Sequence, residues 1–253
     1  MPRACLIENY RNLPGEHCGS TAMRNLLFHY CDLELSEGEV FGLGSGIDFV
    51  LLESDVYQPG VMLFGRGATM EADLGDALGV DYREEVEADN TAAWDVVREE
   101  VLAGRPTMLS GDALYLDYRD FKVHFPAHRF VLLGFDDDAG LAYVADRIVP
   151  ETQACSYAAL AKSRNPPDFI STFNLWGKFG TAGGAGAARS VEEAMHVAIA
   201  RASRRMLGDA AAASSSPASP LSSGGLSQSS GVAGLDTFVR RLPHWAARED
   251  FPR

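Results

Sequence analysis

The sequence predicts an α+β fold, with N-terminal helices packed on an antiparallel β-sheet and a helical extension at the C-terminal end. Two observations support this fold class. Between residues 20 and 102, apolar side chains recur mostly at helical spacing, whereas from Thr107 onward short runs of β-branched and aromatic residues alternate with turn residues. A helical half followed by an antiparallel half favours the α+β class over alternating βαβ units.

Four segments of the first half are predicted to be helices. They span residues 20–30, 36–41, 69–78 and 91–102. The first begins directly after Cys18, and Ser20 or Thr21 is placed to cap its first turn. Ser36 with Glu39 has the form of a capping box. The glycine-rich stretch that follows, Gly42-Leu43-Gly44-Ser45-Gly46, is predicted to be a loop.

The predicted sheet contains runs 108–118, 130–135 and 141–145. Asp136-Asp137-Asp138-Ala139-Gly140 joins the last two runs as a β-hairpin, because Asp and Gly tolerate the backbone angles of tight turns. With the turn centred near residues 137 and 138, the numbers of paired residues add up to about 274 to 276. This register predicts that His128 faces Asp146.

The C-terminal part is predicted to be helical and interrupted. Helices are expected at 157–163, 190–206 and 235–245, with a flexible connector at 181–186 and a disordered Ala/Ser-rich stretch at 210–231. The predicted domains are therefore residues 1–180 and a helical region at 187–253.

Composition limits the partners. The chain has 253 residues, 46% of them hydrophobic, which suffices for one large domain or one domain with an appendage. With 22 Lys and Arg against 35 Asp and Glu, the formal charge of -13 disfavours nucleic acid and anionic membranes as partners. A basic substrate would be attracted, although an acidic surface also serves solubility.

The four cysteines are widely separated, with no C-x-x-C pair and no histidines at zinc spacing. We therefore expect no disulfide framework, no metal site and no cofactor. No signal peptide and no membrane-spanning stretch is recognised in the sequence, so a cytoplasmic location with reduced thiols is expected.

Cys18 is the candidate nucleophile. The N-terminus of a helix favours a thiolate through its unpaired N–H groups and positive dipole end. His128 is the candidate base and Asp146 the group that orients it, and a histidine more than a hundred residues after the cysteine suits a thiol enzyme. A buried structural cysteine and a surface His–Asp pair are the alternatives. His124 is the second choice as base.

Further residues are assigned to the predicted site. Asn12 is a candidate oxyanion donor beside the Cys18 backbone N–H, although its side chain is short for that role. His17 is expected to line the site or to pack beside it. Gly44 and Ser45 are placed in a substrate-facing loop, for which a plain connector between helices is the alternative reading; the loop lacks the endings typical of phosphate-binding motifs.

Four segments carry a family resemblance: Gly15–Leu27 (GEHCGSTAMRNLL), Val40–Gly46 (VFGLGSG), His128–Phe135 (HRFVLLGF) and Val144–Asp146 (VAD). Over residues 8–180 the sequence resembles the N-terminal domain family of butirosin biosynthesis protein H. The C-terminal helices resemble the domain that commonly follows it.

This resemblance implies a papain-like fold with catalytic Cys, His and Asp in that order, as in cysteine peptidases. The family's namesake moves an aminoacyl group from a carrier-protein thioester to an amine of an aminoglycoside. By position, Cys18 would take the acyl group, His128 would shuttle the proton and Asp146 would orient His128. The glutamine that serves the oxyanion in papain-like enzymes would have Asn12 as its counterpart.

The implied partners are an acyl carrier protein or synthase bearing a thioester and a small-molecule amine acceptor. The C-terminal region is short and interrupted at 210–231, so the resemblance does not carry over a specific substrate. A thiol hydrolase (peptidase, amidase or thioesterase) on the same triad is the alternative enzyme. A non-catalytic module that binds a biosynthetic synthase is the alternative outside enzymology.

Overall fold

The structure is a computed structural model and describes residues 2–54, 60–180, 189–209 and 226–247. Its helices are α1 (Cys18–Cys31), α2 (Glu37–Leu43), α3 (Met70–Leu78), α4 (Asn90–Leu102), α5 (Tyr157–Arg164), α6 (Val191–Met206) and α7 (Gly231–Ala246). Its strands are β1 (Ala4–Leu6), β2 (Val50–Ser54), β3 (Val61–Phe64), β4 (Tyr82–Glu85), β5 (Thr107–Gly111), β6 (His128–Asp136), β7 (Leu141–Ala145), β8 (Gln153–Ser156), β9 (Trp176–Phe179) and β10 (Leu226–Ser230). The antiparallel sheets and helices confirm the predicted α+β class.

The chain divides into two compact units. The first unit combines Met1–Val40 with Val80–Ala187, and the second combines Phe41–Gly79 with Ala188–Arg253. The predicted domain at 1–180 includes residues 41–79, whereas in the structure these residues group with the C-terminal region.

The first unit is built on a seven-stranded antiparallel sheet. The strand order is β4-β9-β5-β6-β7-β8, and β1 pairs with the far end of β6. One face of β6 buries Phe130 and Leu132 in a cluster with Val97 and Val101 of α4. These two valines lie four residues apart, which places them on one face of the helix. Helix α1 lies against β6 and β9, so the central strand of the sheet also supports the helix that begins at Cys18.

The hairpin between β6 and β7 forms as predicted, with Gly140 in the left-handed region (φ 67°). Its register differs from the prediction. Asp136 pairs with Leu141, and a shift between Leu132 and Gly134 places Val131 opposite Ala145. The sequence predicted that His128 faces Asp146 directly, and this prediction was wrong.

Extending the observed register by one residue places Asp146 beside Phe130, two positions from His128. Residues two positions apart on a strand share a face, so His128 and Asp146 are diagonal neighbours across the hairpin. His128 itself pairs with Gly111 of β5.

Several predicted boundaries change. The loop predicted at Gly42 begins later, because α2 continues through Leu43, and the run from Met108 ends as a strand at Gly111 and continues as a short 3-10 helix, Ala113–Tyr115. The first hundred residues also contain β1 to β4, which lack a regular alternation in the sequence. The Ser36–Glu39 capping box is present, with both hydrogen bonds formed.

The second unit has its own three-stranded antiparallel sheet, β10-β2-β3, and α3 packs against α6. Disorder was predicted for residues 210–231, and this was wrong for its last part. β10 pairs with β2 along its whole length, and α7 begins at Gly231. Pairing with β2 satisfies the backbone hydrogen-bonding groups of β10, although this segment has few apolar side chains. Residues 210–225 and the predicted connector at 181–186 lie outside the described residues.

In the described ranges, no helix combines the length and apolar character that crossing a membrane requires.

Candidate active site

Cys18 is the first residue of α1. His17 caps the helix from an extended conformation (φ -112°, ψ 124°), and its Nδ1 accepts the backbone N–H of Ser20 at 3.1 Å. The predicted caps, Ser20 and Thr21, are already helical and so cannot occupy the cap position. Cys18 is partly exposed, and its thiol lies in the turn where a helix favours negative charge.

Glu37 holds the turn that precedes Cys18. Its Oε1 accepts the backbone N–H of His17 at 2.7 Å and the hydroxyls of Ser20 at 3.0 Å and Thr21 at 2.9 Å. Its Oε2 accepts the backbone N–H of Glu16 at 3.0 Å. Burial alone would raise the pKa of Glu37, but the hydrogen bonds to the carboxylate outweigh burial and lower the pKa. Glu37 was not predicted from the sequence, because the capping-box pattern in this segment belongs to Ser36 and Glu39.

Gly15 allows this close approach. A Cβ at position 15 would lie 2.2 Å from Thr21 Oγ1 and 2.6 Å from Glu37 Oε2, so a larger residue would push the turn away. The backbone N–H of Gly15 donates to the carbonyl of Arg147 at 2.8 Å. The turn that carries Cys18 is thereby tied to the chain directly after Asp146.

The structure brings the three predicted catalytic residues together. His128 Nε2 lies 2.9 Å from Asp146 Oδ2, and both side chains are almost fully buried, at 2% and 3% exposed. The side chain of Cys18 forms a hydrogen bond with His128. Because Nε2 is occupied by Asp146, Nδ1 is the ring nitrogen that remains for the thiol.

The electrostatics of the pair favour its charged form. Burial alone would lower the pKa of His128, but the hydrogen bonds and charges of Asp146 and Cys18 outweigh it and raise the pKa. Burial alone would raise the pKa of Asp146, but His128, the charge of Arg119 and the backbone N–H of Arg147 outweigh it and lower the pKa. The imidazole is thus set up to carry a proton beside a carboxylate that stays ionised.

Two neighbours of Asp146 were not predicted. Arg119 Nη1 lies 2.7 Å from Asp146 Oδ2 and 2.8 Å from His128 Nε2, and Tyr118 donates its hydroxyl to the same oxygen at 2.9 Å. Arg119 and His128 therefore compete for one carboxylate oxygen. No spacing in the sequence signals this, because the segment that carries both residues is an irregular loop beyond the 3-10 helix.

Asn12 is engaged elsewhere. Its Nδ2 donates to the carbonyls of Asp146 at 3.1 Å and Val149 at 2.8 Å, and its Oδ1 accepts from Asn25 at 3.0 Å. An amide nitrogen carries two hydrogens, so these contacts leave none for an oxyanion. Asn12 therefore links the N-terminal segment to the chain after β7 by hydrogen bonds. In this position it does not act as the predicted oxyanion donor.

Of the predicted substrate-contacting residues, His17 is partly exposed beside Cys18 and serves as the helix cap. Gly44 and Ser45 belong to the second unit. Ser45 is buried in the left-handed region (φ 52°), and its hydroxyl donates to the carbonyl of Ala198 at 3.2 Å. A substrate contact of these residues stays a prediction.

His124, the second choice as base, belongs to a separate pair. Its Nδ1 lies 2.6 Å from Asp112 Oδ2, and its ring stacks on Phe169 with centroids 3.9 Å apart. Asp112 is fully buried, whereas a third of the His124 side chain is exposed. The structure therefore contains a second His–Asp pair, separate from His128 and Asp146.

The remaining cysteines lie in different surroundings. Cys31 and Cys155 are buried, and Cys5 is partly buried. Burial, together with nearby Asp117, raises the pKa of the Cys155 thiol. Cys18 is the member of the four whose side chain contacts a histidine held by a carboxylate.

A cavity of about 310 Å³ borders Asp146. It is lined by Tyr118, Arg119, Asp120, Phe121, Asp146, Ile148, Val149 and Gln153. The walls combine apolar side chains with the carboxylates of Asp120 and Asp146 and the guanidinium of Arg119.

A search of curated proteins found no match. The sequence model of the family described as "Butirosin biosynthesis protein H, N-terminal" matches residues 17–147, which is just over half of the chain. The match begins at the helix cap and includes Cys18, His128 and Asp146. The family predicted from the sequence motifs is thereby confirmed, and the chain belongs to the butirosin biosynthesis protein H N-terminal family.

Proposed function

We propose that this protein is a cysteine acyltransferase, in which Cys18 accepts an acyl or aminoacyl group from a thioester and passes it to an amine. The observation that carries the proposal is the contact of the Cys18 thiol with His128, whose other ring nitrogen is held by buried Asp146. A thiol, a base and a group that orients the base are what nucleophilic catalysis by cysteine requires.

In the first half-reaction, His128 takes the thiol proton and the thiolate attacks the thioester carbonyl. Asp146 stabilises the imidazolium and holds the ring in place. The first turn of α1 places backbone N–H groups and the positive end of the helix dipole near the oxyanion that forms. Collapse of the intermediate breaks the donor's carbon–sulfur bond, and the imidazolium returns its proton to the departing thiol.

In the second half-reaction, the amine attacks the thioester on Cys18. His128 accepts a proton from the attacking nitrogen, the acyl carbon–sulfur bond to Cys18 breaks as the amide bond forms, and the imidazolium passes its proton to the departing Cys18 thiolate. Protons and bonds balance without a cofactor, because each half-reaction exchanges one acyl acceptor for another.

Two features favour transfer in biosynthesis over simple hydrolysis. The family takes its name from a butirosin biosynthesis protein, which points to a biosynthetic role. The chain also carries a formal charge of -13, so a cationic amine would be attracted. An acyl carrier protein or synthase is the proposed donor partner, and a small amine is the proposed acceptor.

The test is to incubate the protein with acyl carrier thioesters and follow its mass, with and without added amines. We expect an acyl adduct on Cys18 that amine releases as an amide, and no adduct with Cys18→Ser. Cys5→Ser is the matched control, since Cys5 is also partly exposed, and this variant should form the adduct normally.

Each other outcome selects a different function. Release of the adduct by water at the rate seen with amine would make the protein a thiol hydrolase and overturn the transferase assignment. A non-catalytic binding module would be favoured if none of the thioesters acylates Cys18 and if Cys18 is alkylated no faster than Cys5.

A further inference from the structure

A buried arginine in the first unit is left without a counter-ion. Arg164, the last residue of α5, is 2% exposed. Its Nη2 donates to the carbonyl of Asn174 at 2.9 Å, while Nε is buried without an acceptor among the described residues. Among the described residues, no carboxylate forms an ion pair with the Arg164 guanidinium.

This arrangement is costly unless something else compensates the charge. Removing a charge from water is strongly unfavourable when neither an opposite charge nor a full set of hydrogen bonds replaces the solvent. Burial lowers the pKa of Arg164 to about 10, which still leaves the guanidinium charged at neutral pH. Arg119 and Arg205, whose side chains are also mostly buried, each have a carboxylate partner, so Arg164 differs from these two.

Arg164 borders a cavity of about 230 Å³, here called the Arg164 cavity. Its lining residues are Asn90, Thr91, Trp94, Tyr157, Leu160, Ala161, Arg164 and Asn174. The rings of Trp94 and Tyr157 lie 4.9 Å apart at 53°, and the Tyr157 hydroxyl donates to Asp137 at 2.9 Å, which fixes one wall. Cys18, His128 and Asp146 are not among the residues that line the Arg164 cavity.

The polar end of the cavity is held by a strained turn. Phe173 and Asn174 both adopt left-handed backbone angles (φ 49° and 54°). Asn174 Nδ2 donates to Asn90 Oδ1 and to the carbonyl of Glu87, both at 2.9 Å. Strain of this kind in a bulky residue persists only where the surroundings enforce it, and such positions cluster at ligand sites.

We infer that the Arg164 cavity binds a small organic carboxylate, whose charged group pairs with Arg164 and whose apolar body lies against Trp94, Tyr157 and Leu160. A guanidinium matches a carboxylate in shape and charge. A phosphate group would bring up to two charges, and Arg164 is the single cation in the cavity lining. The volume lies below the usual range for drug-sized ligands, so the carboxylate is small.

The experiment titrates the full chain with benzoate, benzyl alcohol and inorganic phosphate, and follows tryptophan fluorescence and the melting temperature. We expect benzoate to change both, and benzyl alcohol, which has the same ring without the charge, to bind at least about tenfold more weakly. Trp94→Phe should lose the fluorescence response and keep the benzoate-dependent rise in melting temperature.

Two variants test the site itself. Arg164→Met removes the charge and keeps the length of the side chain, and Ala161→Leu fills the cavity and leaves the arginine in place; both should abolish the benzoate response. Lys162→Met, which removes a charge from an exposed neighbour outside the cavity, should respond like the wild type.

If benzoate leaves the wild type unchanged, or shifts Arg164→Met as much as the wild type, the inference is overturned. An Arg164-dependent response to phosphate as large as that to benzoate would overturn the assignment to organic carboxylates. If Arg164→Met does not fold, the response of Ala161→Leu decides, because that change leaves every polar contact of Arg164 intact.

Discussion

His128 Nε2 lies 2.9 Å from Asp146 Oδ2, although the strand register places Asp146 beside Phe130 and pairs His128 with Gly111. The contact is therefore diagonal across the hairpin. Such neighbours have Cβ atoms about 7 Å apart, a separation that an imidazole and a carboxylate can span together. Asp146 Oδ1 also accepts the backbone N–H of Arg147 at 2.6 Å, which fixes the carboxylate in this direction.

Replacing His128 with Ala should slow alkylation of Cys18 at neutral pH. The variant loses the base that shares the thiol proton, so the fraction of reactive thiolate falls, by about tenfold or more. Acyl transfer should fall further, by about 10² to 10⁴, which is the usual contribution of a positioned general base. Mass spectrometry of iodoacetamide adducts, with peptides resolved for each cysteine, measures the first effect.

The second His–Asp pair supplies the control. His124→Ala removes a histidine that is also bound to a buried carboxylate, at 2.6 Å, and should leave Cys18 alkylation unchanged. An equal loss of reactivity in both variants would mean that the histidines act through general stability, and would contradict the assignment of His128 as the base.

The sequence predicted Cys18, His128 and Asp146 as the candidate catalytic residues from local patterns. The contacts between these residues depend on tertiary structure. A helix start after Cys18 follows from capping and periodicity, and a hairpin turn at 136–140 follows from its Asp and Gly residues. The shift between Leu132 and Gly134 has no such local signal. In the structure Gly134 lies against β1, where a Cβ would come within 2.4 Å of the Cys5 carbonyl, so a contact with a distant strand occupies the site of the shift.

The residues missed around the site depend on tertiary packing in the same way. Glu37 and Arg119 carry no motif of their own; Glu37 contacts Thr21, 16 residues away in the chain, and Arg119 contacts Asp146, 27 residues away. Asn12 was expected to face the substrate because it is close to Cys18 in sequence. Its amide instead satisfies two carbonyls after β7, because buried carbonyl groups need donors.

Replacing Arg119 with Met should let His128 keep its proton to higher pH. The guanidinium lies 2.8 Å from His128 Nε2 and shares Asp146 Oδ2 with it, so it disfavours the imidazolium and draws on the same acceptor. An NMR titration of the His128 ring, assigned by comparison with His128→Gln, measures the pKa.

Lys122→Met is the control for loss of a positive charge, because Lys122 is exposed and follows Arg119 in the same loop. It should leave the His128 titration in place. A His128 pKa that stays unchanged or falls in Arg119→Met would show that the arginine does not compete for Asp146.

Replacing Glu37 with Ala should destabilise the turn before Cys18. Four donors lose their carboxylate acceptor, and the expected loss in free energy of unfolding is about 1 to 3 kcal/mol, since the turn is only partly accessible to water. Cys18 alkylation should slow as well, because the helix start loses its anchor. Urea unfolding and iodoacetamide labelling measure the two effects.

Glu34→Ala provides the comparison. Glu34 forms an exposed ion pair with Arg11, and its loss should cost no more than about 1 kcal/mol. If Glu37→Ala is no more harmful than Glu34→Ala and Cys18 reacts at the normal rate, Glu37 does not position the turn.

The stabilising effect of the His128–Asp146 pair should depend on pH. The folded-state pKa of His128 is raised above 6.5, so its contribution is full below pH 6.5 and is lost as the pH rises through the folded value. The folded-state pKa of Asp146 is lowered below 3.8, so its contribution is present above pH 3.8 and is lost as the pH falls through the folded value. The pair should therefore contribute most between these two limits.

The difference in free energy of unfolding between wild type and Asp146→Asn, measured in urea at a series of pH values, checks this. It should be largest between pH 3.8 and 6.5 and shrink above that range. Asp138→Asn, at an exposed position of the hairpin turn, should show a small difference with little pH dependence. A pH-independent difference for Asp146→Asn would contradict the pairing.

Replacing Arg205 with Met should unfold the second unit more readily. Arg205 Nη2 contacts Asp73 Oδ2 at 2.5 Å and Thr69 Oγ1 at 3.1 Å, and Nε lies 3.8 Å from Asp48 Oδ2. Breaking a buried ion pair leaves an uncompensated carboxylate, which costs about 3 to 5 kcal/mol. Arg201 Nη1 lies 3.5 Å from Asp73 Oδ1, so Asp73 keeps one positive neighbour in the variant. We therefore expect a loss at the lower end of that range.

Trypsin gives this prediction a readout that reports on chain organisation. Arg66 is mostly buried and bound to Glu71 at 3.0 Å, so cleavage there requires residues 41–79 to open. Because these residues fold with α6, Arg205→Met should expose Arg66 to cleavage. Arg240→Met, which breaks an exposed pair with Asp236, should not. Cleavage of Arg205→Met confined to residues after 189 would mean that 41–79 holds its structure without the C-terminal region, as the sequence had first suggested.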